Sequence, residues 1–366
     1  MGPMKSVAVV SGFERFKGST FVARGYCEAL TELGYETHWY QCGDSVSPPT
    51  DVPLGRMVHG IATGHRGLDQ GLNFAHIFPK RLGRLTEDIV LLTDPLLLRI
   101  ADVNPGSLVI VHDLRELHYR TRSNIASPIL SFYLLGKIRR TRGVFTDTEA
   151  TRGDLVGRIR DLPPTEVVHS AAPVTGNGPE HIRRSLSRLT NQRTQQLLYV
   201  AVDRPYKHVK FVVDLARHLD SCPKDVDVRI LLVSKLRRST VRYVERTSPR
   251  CLTVLPEIED ITEAYNQSDV LVFPSEFEGF GLPLIEAMSF GMPIVASPAE
   301  AILEVLGGAG TSVPGYEVAS WSRALIDLRT PSMYEAWAYR ALERAPHFSQ
   351  EAFRHRLRDV LTKWGV

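Results

Sequence analysis

Short apolar runs alternate with helix-length segments along nearly the whole 366-residue chain, and this alternation constrains the fold more than any other feature. The runs fall at residues 7–10, 37–40, 89–92, 108–111, 144–146 and 167–168, and again at 197–201, 228–233, 252–255, 270–273 and 294–296. Strands this short and this apolar, separated by helices, suit a parallel sheet buried on both faces. Two such series predict two doubly wound α/β domains. Between them, residues 171–196 carry Pro, Gly and Asn and then a polar, Arg-rich stretch, which reads as linker without a strand. The expected domains are residues 1–172 and 173–346. Residues 44–60 read as a long Pro-rich loop. A last helix is expected over 350–364, after the break A-P-H-F-S, with Ser349 as its N-cap.

Composition excludes several classes. Hydrophobic residues at 43% and charged residues at 23% fit a soluble globular protein, not a disordered or fibrous one. The longest apolar run is six residues, 197–202, against the roughly 20 that a spanning helix needs. A net charge of +3 is too weak to imply nucleic-acid binding. Cys27, Cys42, Cys222 and Cys251 are scattered without metal or disulfide spacing. With no signal-peptide pattern at the N-terminus, the expected location is the cytoplasm.

The chemistry concentrates in residues 270–297, V-L-V-F-P-S-E-F-E-G-F-G-L-P-L-I-E-A-M-S-F-G-M-P-I-V-A-S. The pattern predicts a strand at 270–273, a turn at 274–281, a helix at 282–290 and a second strand at 293–296. The turn lies at the strand's carboxyl end, where ligands of doubly wound sheets bind. Gly279 and Gly281 let the backbone take unusual dihedrals and approach a ligand. The helix that follows directs amides and a positive dipole end at an anion such as a phosphate. Glu278 lies in the turn, and Glu286 is expected about one turn into the helix, on its first exposed face. A carboxylate that accepts two hydroxyl hydrogen bonds can read a ribose or hexose diol.

On these motifs the chain resembles the retaining glycosyltransferases of family 4, the glycosyl transferases group 1. Further runs carry the resemblance: V-I-V-H-D-L (109–114), D-T-E-A-T-R-G-D-L (147–155), Y-V-A…P-Y-K (199–207) and L-P-E-I-E-D…A-Y-N-Q-S-D-V-L-V-F-P-S (255–275). The resemblance implies the GT-B fold, with two Rossmann-like domains facing a central cleft and the C-terminal helix (347–366) crossing back to the first. It implies hexose transfer from a UDP-, GDP- or ADP-sugar to a hydroxyl of a glycan, lipid-linked or small-molecule acceptor, with the anomeric configuration retained. The first domain takes the acceptor and the second the nucleotide-sugar.

Residue by residue, Glu286 resembles the ribose-binding glutamate and Glu278 the one that contacts the donor sugar. The backbone of Phe280, Gly281 and Leu282 lies near the sugar and diphosphate in that pattern. His112 resembles the histidine beside the donor sugar, and Lys207 the lysine on the diphosphate. Gly18 and Ser19 resemble the first-domain phosphate loop, with serine in place of a second glycine. Ile258 resembles a position whose backbone meets the base. The family's arginine before the lysine is missing at Ala201 and Val202, and Arg204 is expected to supply its charge.

Lys207, Arg204 and the helix N-terminus would stabilise a departing diphosphate, so neither a metal nor another cofactor is expected. The D-x-D at Asp225–Asp227 precedes a strand, at the wrong edge of the sheet for a ligand. Asp113 either orients His112 or caps the next turn. Residues 115–160 hold ten Lys or Arg against four Asp or Glu. They are read chiefly as a core-facing helix with a solvated basic end, the alternative being a face for an anionic acceptor or the inner membrane surface. A nucleotide-sugar epimerase and a non-catalytic nucleotide-sugar-binding protein are the competing functions.

Overall fold

In the computed structural model of the chain the described residues are 4–12, 17–43, 56–60, 72–118, 133, 135–192, 194–222, 227–256, 258 and 260–366. The chain divides into two compact units, Met1–Ala171 with Gln350–Val366, and Ala172–Ser349.

The first unit holds β1 (Ser6–Gly12), β2 (Glu36–Gly43), β3 (Arg56–His59), β4 (Ile89–Leu92), β5 (Leu108–Val111), β6 (Gly143–Thr146) and β7 (Thr165–Val167). They form one sheet in the order β3-β2-β1-β4-β5-β6-β7, and each neighbouring pair is parallel. The second unit holds β8 (Thr194–Val200), β9 (Asp227–Val233), β10 (Leu252–Leu255), β11 (Val270–Phe273), β12 (Ile294–Ala296) and β13 (Thr311–Ser312). Their order is β10-β9-β8-β11-β12-β13, again parallel throughout.

Apolar runs become strands here because both faces are covered. In β11, Leu271 and Phe273 pack with Leu284, Ile285 and Met288 on one face. Val270 and Val272 pack with Val212, Leu215 and Trp321 on the other. β5 is divided in the same way, Val109 and Val111 against Leu108 and Ile110. The C-terminal helix Gln350–Lys363 belongs to the first unit, where Phe353, Leu357 and Leu361 join Tyr26 and Phe145 in the core. Trp364 stacks on Phe145 at 4.9 Å and lies over Gly143, where a Cβ would sit 2.5 Å from the indole.

Two sequence expectations need correction. The segment 44–60 is not loop throughout, since Arg56–His59 pairs with β2 as an edge strand, while 44–55 lie outside the described residues. The segment 171–196 is more than linker. It carries the helix Gly178–Ser187, whose first turn is capped when Asn177 Oδ1 accepts the Glu180 N–H at 3.3 Å, and the start of β8 at Thr194. Ile182 and His181 of that helix are buried, so its polar residues are only its outer face. The pair Thr311–Ser312 adds an edge strand too short to show a period.

In each sheet the chain starts in the middle and reverses direction across it, at β1/β4 and at β8/β11. Loops on either side of such a reversal splay apart at the carboxyl ends and leave a crevice.

Candidate functional site

In the second unit the loops after β8 and β11 flank the reversal, and the two strands are hydrogen-bonded neighbours. That adjacency brings Lys207 and Glu278, 71 residues apart, into an ion pair. Lys207 ends a short 3-10 turn, Pro205–Lys207. Its carbonyl accepts the hydroxyl of buried Tyr199 at 2.8 Å, and the Tyr206 carbonyl accepts the Glu276 N–H at 2.8 Å. The second bond ties the lysine turn to the glutamate turn. His208 closes the 3-10 turn in the left-handed region at φ 54° and stacks on Tyr316 at 3.8 Å. The Lys207 ammonium lies 5.6 Å from the ring centres of both Tyr206 and Phe273, within cation–π range.

The glutamate turn leads into the helix Leu282–Ser289, with Gly281 as its N-cap at φ 94°. Gly279 is not in the left-handed region, so of the two glycines only Gly281 uses the predicted freedom. Gly281 has no side chain to cap this helix, and Pro283 occupies its first turn. Pro283 has no N–H and the Leu284 N–H turns back to the Gly281 carbonyl at 2.9 Å, which leaves the Leu282 N–H as the first-turn donor at this helix end. Phe280 is buried edge-on against Phe348 at 5.7 Å, and Leu282 is half-buried.

Glu286 differs from expectation. It is 8% exposed rather than on an exposed face, because the helix is covered on most sides and buries Leu284 through Met288. The Tyr265 hydroxyl donates to its Oε2 at 2.5 Å. Burial pushes its carboxyl up to about 7, against the downward pull of that hydrogen bond. Ile258 follows β10 at the same sheet edge and is half-buried, while Glu257 and Glu259 lie outside the described residues.

Arg204 is exposed, and its side chain makes no ion pair or hydrogen bond among the described residues. Its neighbour Asp203 is buried and binds Arg237 from the loop after β9, through the backbone N–H at 2.8 Å and the guanidinium at 3.2 Å. Arg237 is a cation at this edge that the sequence reading missed. Its signal was the strand-end run S-K-L-R-R (234–238). At the opposite edge, Asp227 starts β9 and pairs with Arg229, whereas Asp225 lies outside the described residues. Among the described residues no cluster of three His, Cys, Asp or Glu side chains is arranged to hold a metal ion.

In the first unit, His112 stands at the carboxyl end of β5. Its Nδ1 meets Asp147 Oδ2 at 2.5 Å and its Nε2 meets the Thr93 carbonyl at 2.9 Å. Burial opposes the charge, but Asp147, with Asp94 and Asp113 nearby, holds the imidazole pKa up to about 9. Both nitrogens are then donors, and the ring is a fixed cation. Asp147, not Asp113, orients it. Asp113 accepts the Arg115 N–H at 3.0 Å and caps the next turn. Ser170 Oγ donates to the other Asp147 oxygen at 2.9 Å. Gly18 and Ser19 lie in the first turn of the helix Lys17–Glu32 rather than in a loop. Of the basic stretch, 119–132 and 134 lie outside the described residues. Lys137 and Arg140 are engaged by Asp102, together with Arg99. No helix among the described residues is long and apolar enough to cross a membrane.

Residues 194–330, the greater part of the second unit, match the family described as glycosyl transferases group 1. A 103-residue segment is 38% identical to the O-antigen chain mannosyltransferase B of Escherichia coli, covering 28% of this chain and 27% of that protein. The chain spans about a quarter of the length of the first curated relatives it matches. Among solved structures it is similar to sucrose-phosphate synthase from Thermosynechococcus elongatus, with TM-score 0.78, 15% identity and 98% of both chains covered. It is also similar to Anabaena Alr3699/HepE in complex with UDP and glucose, with TM-score 0.71, 15% identity, and 98% and 99% covered. The resemblance to glycosyl transferases group 1 is thus borne out over residues 194–330, and the expected GT-B fold class over nearly the whole chain.

Proposed function

We propose that the chain is a retaining, metal-independent glycosyltransferase that moves a hexose from a nucleotide-sugar to an acceptor hydroxyl. One observation carries the reading. Lys207, Glu278 and an uncapped helix N-terminus converge at the carboxyl edge of the second sheet, with Glu286 one turn further in. That set matches a diphosphate flanked by two diols. Lys207 and the amides at Gly281 and Leu282 take the diphosphate, and Arg204 and Arg237 add positive potential at the rim. Glu278 accepts hydroxyls of the hexose and Glu286 those of the ribose, with the base against the backbone at Ile258. Gly18 and Ser19, in the first turn of their helix, offer the first unit's amides to an anion. His112 presents a fixed positive charge at the corresponding edge of that unit, which is assigned to the acceptor. The family match and a similar structure holding UDP and glucose support the donor class.

Breaking the sugar–phosphate bond puts charge on the departing diphosphate. Preorganised donors aimed at it are usually the largest catalytic contribution. The acceptor hydroxyl attacks the same face of the sugar, and its proton passes to the departing phosphate, so no protein carboxylate forms a covalent intermediate. The test measures nucleoside diphosphate released from UDP-, GDP- and ADP-sugars, with and without added hydroxyl acceptors and with EDTA. Acceptor-dependent release that persists in EDTA is expected. Release of nothing from any donor, or a glycosyl adduct trapped on a side chain, contradicts the reading. A product that is an isomer of the donor, with no diphosphate released, would mark an epimerase instead.

A further inference from the structure

The Lys207–Glu278 pair is held from both backbones. Tyr199 fixes the Lys207 carbonyl, and Glu276, two residues before Glu278, fixes that of Tyr206. The side chains are 17% and 10% exposed, and the ammonium is lodged against two aromatic rings. The cation offered to a diphosphate is therefore already paired with a carboxylate whose turn is tied to its own. A diphosphate bound at Lys207 brings its negative charge against Glu278 in a poorly solvated place, where like charges cost more than in water. A ligand that also carries hydroxyls can compensate, because each hydroxyl donates to Glu278 and satisfies its lone pairs.

From this we infer that Glu278 is the residue that makes the site prefer the nucleotide with its sugar over the bare nucleoside diphosphate. The inference rests on the nucleotide-sugar reading above and adds a function to it. The substrate binds through both members of the pair, and the product, once its sugar has gone, faces an uncompensated carboxylate and leaves. Lys207 supplies affinity for both ligands, and Glu278 supplies the difference between them.

Isothermal titration of the full chain with UDP, GDP and ADP, each beside its glucose or mannose conjugate, tests this. Glu278→Gln keeps the shape and removes the charge. It is expected to tighten binding of the matching bare diphosphate about tenfold, without tightening binding of the conjugate. Unchanged or weaker binding of the diphosphate overturns the inference. Lys207→Gln provides a second reading that stands even if the first variant does not fold. It is expected to weaken the bare diphosphate more than the conjugate, whose hydroxyls still occupy Glu278, whereas equal weakening overturns the inference. Wild-type protein that binds no nucleotide in any arm removes the donor reading itself, while binding without discrimination removes only this inference.

Discussion

Lys207, Glu286 and His112 are three charged groups whose behaviour is set by different neighbours. Lys207 is paired and ringed by aromatics, so its role is electrostatic. Lys207→Met is expected to lower kcat by about a hundredfold, as removal of one preorganised donor usually does. Steady-state kinetics with saturating donor check this. Glu286 has a folded pKa of about 7, above the roughly 4.3 of an unfolded glutamate. A raised value means its contribution to stability is complete below the unfolded pKa and is lost as pH rises through about 7. A ribose diol favours the ionised form, so nucleotide affinity should rise about tenfold between pH 6 and 8. Calorimetry beside Glu286→Gln separates this from titration of the phosphate, and an identical pH profile in the variant sinks the assignment. His112 has the same sign in another window. Its contribution is complete below roughly 6.5 and lost as pH rises through about 9, and it comes to roughly 3 kcal/mol. In Asp147→Asn the imidazole pKa should fall below 7, followed by NMR, and the stability difference from wild type should shrink between pH 7 and 9. At this scale the sequence singled out Lys207, Glu278, Glu286 and His112 but not their partners. Tyr265 and Asp147 come from other segments, 21 and 35 residues from Glu286 and His112, at distances no local pattern encodes.

The elements show where local patterning is sufficient. The strand–turn–helix of 270–289 was legible because its apolar strand, glycine turn and Pro283 each point to the same structure. The edge strands β3 and β13 were not legible, since a strand with one neighbour needs no long apolar run. The helix Gly178–Ser187 was read as linker because its outer face is polar and only a narrow stripe is buried. The C-terminal helix was predicted, but its seat on Gly143 was not. Gly143→Ala forces a methyl into the Trp364 indole and is expected to cost about 1–3 kcal/mol. Chemical denaturation of Gly143→Ala in the wild-type and Trp364→Ala backgrounds checks it. The penalty should largely vanish once the indole is gone, because contacting residues are not additive. A penalty of equal size in both backgrounds would place the strain elsewhere.

For the whole molecule, a nucleotide that binds only the folded chain must raise its stability by mass action. At a hundred times its dissociation constant the gain is about 2.7 kcal/mol. Thermal melts with UDP, GDP, ADP and their sugars should therefore single out one base, and a panel without any shift contradicts the donor site. The sequence by itself determined the class of both sheets, the position of the glycine turn after β11 and the chemical type of its residues. The sheets follow from apolar runs repeated along the chain, and the turn from glycine and proline placement and side-chain chemistry within some thirty consecutive residues. Only the tertiary structure decided that Lys207 neutralises Glu278, that Glu286 is buried on Tyr265 and that His112 is held charged by Asp147. Those facts depend on which strands become neighbours, and neighbourhood in a parallel sheet joins segments tens of residues apart through backbone pairing that no stretch of sequence contains.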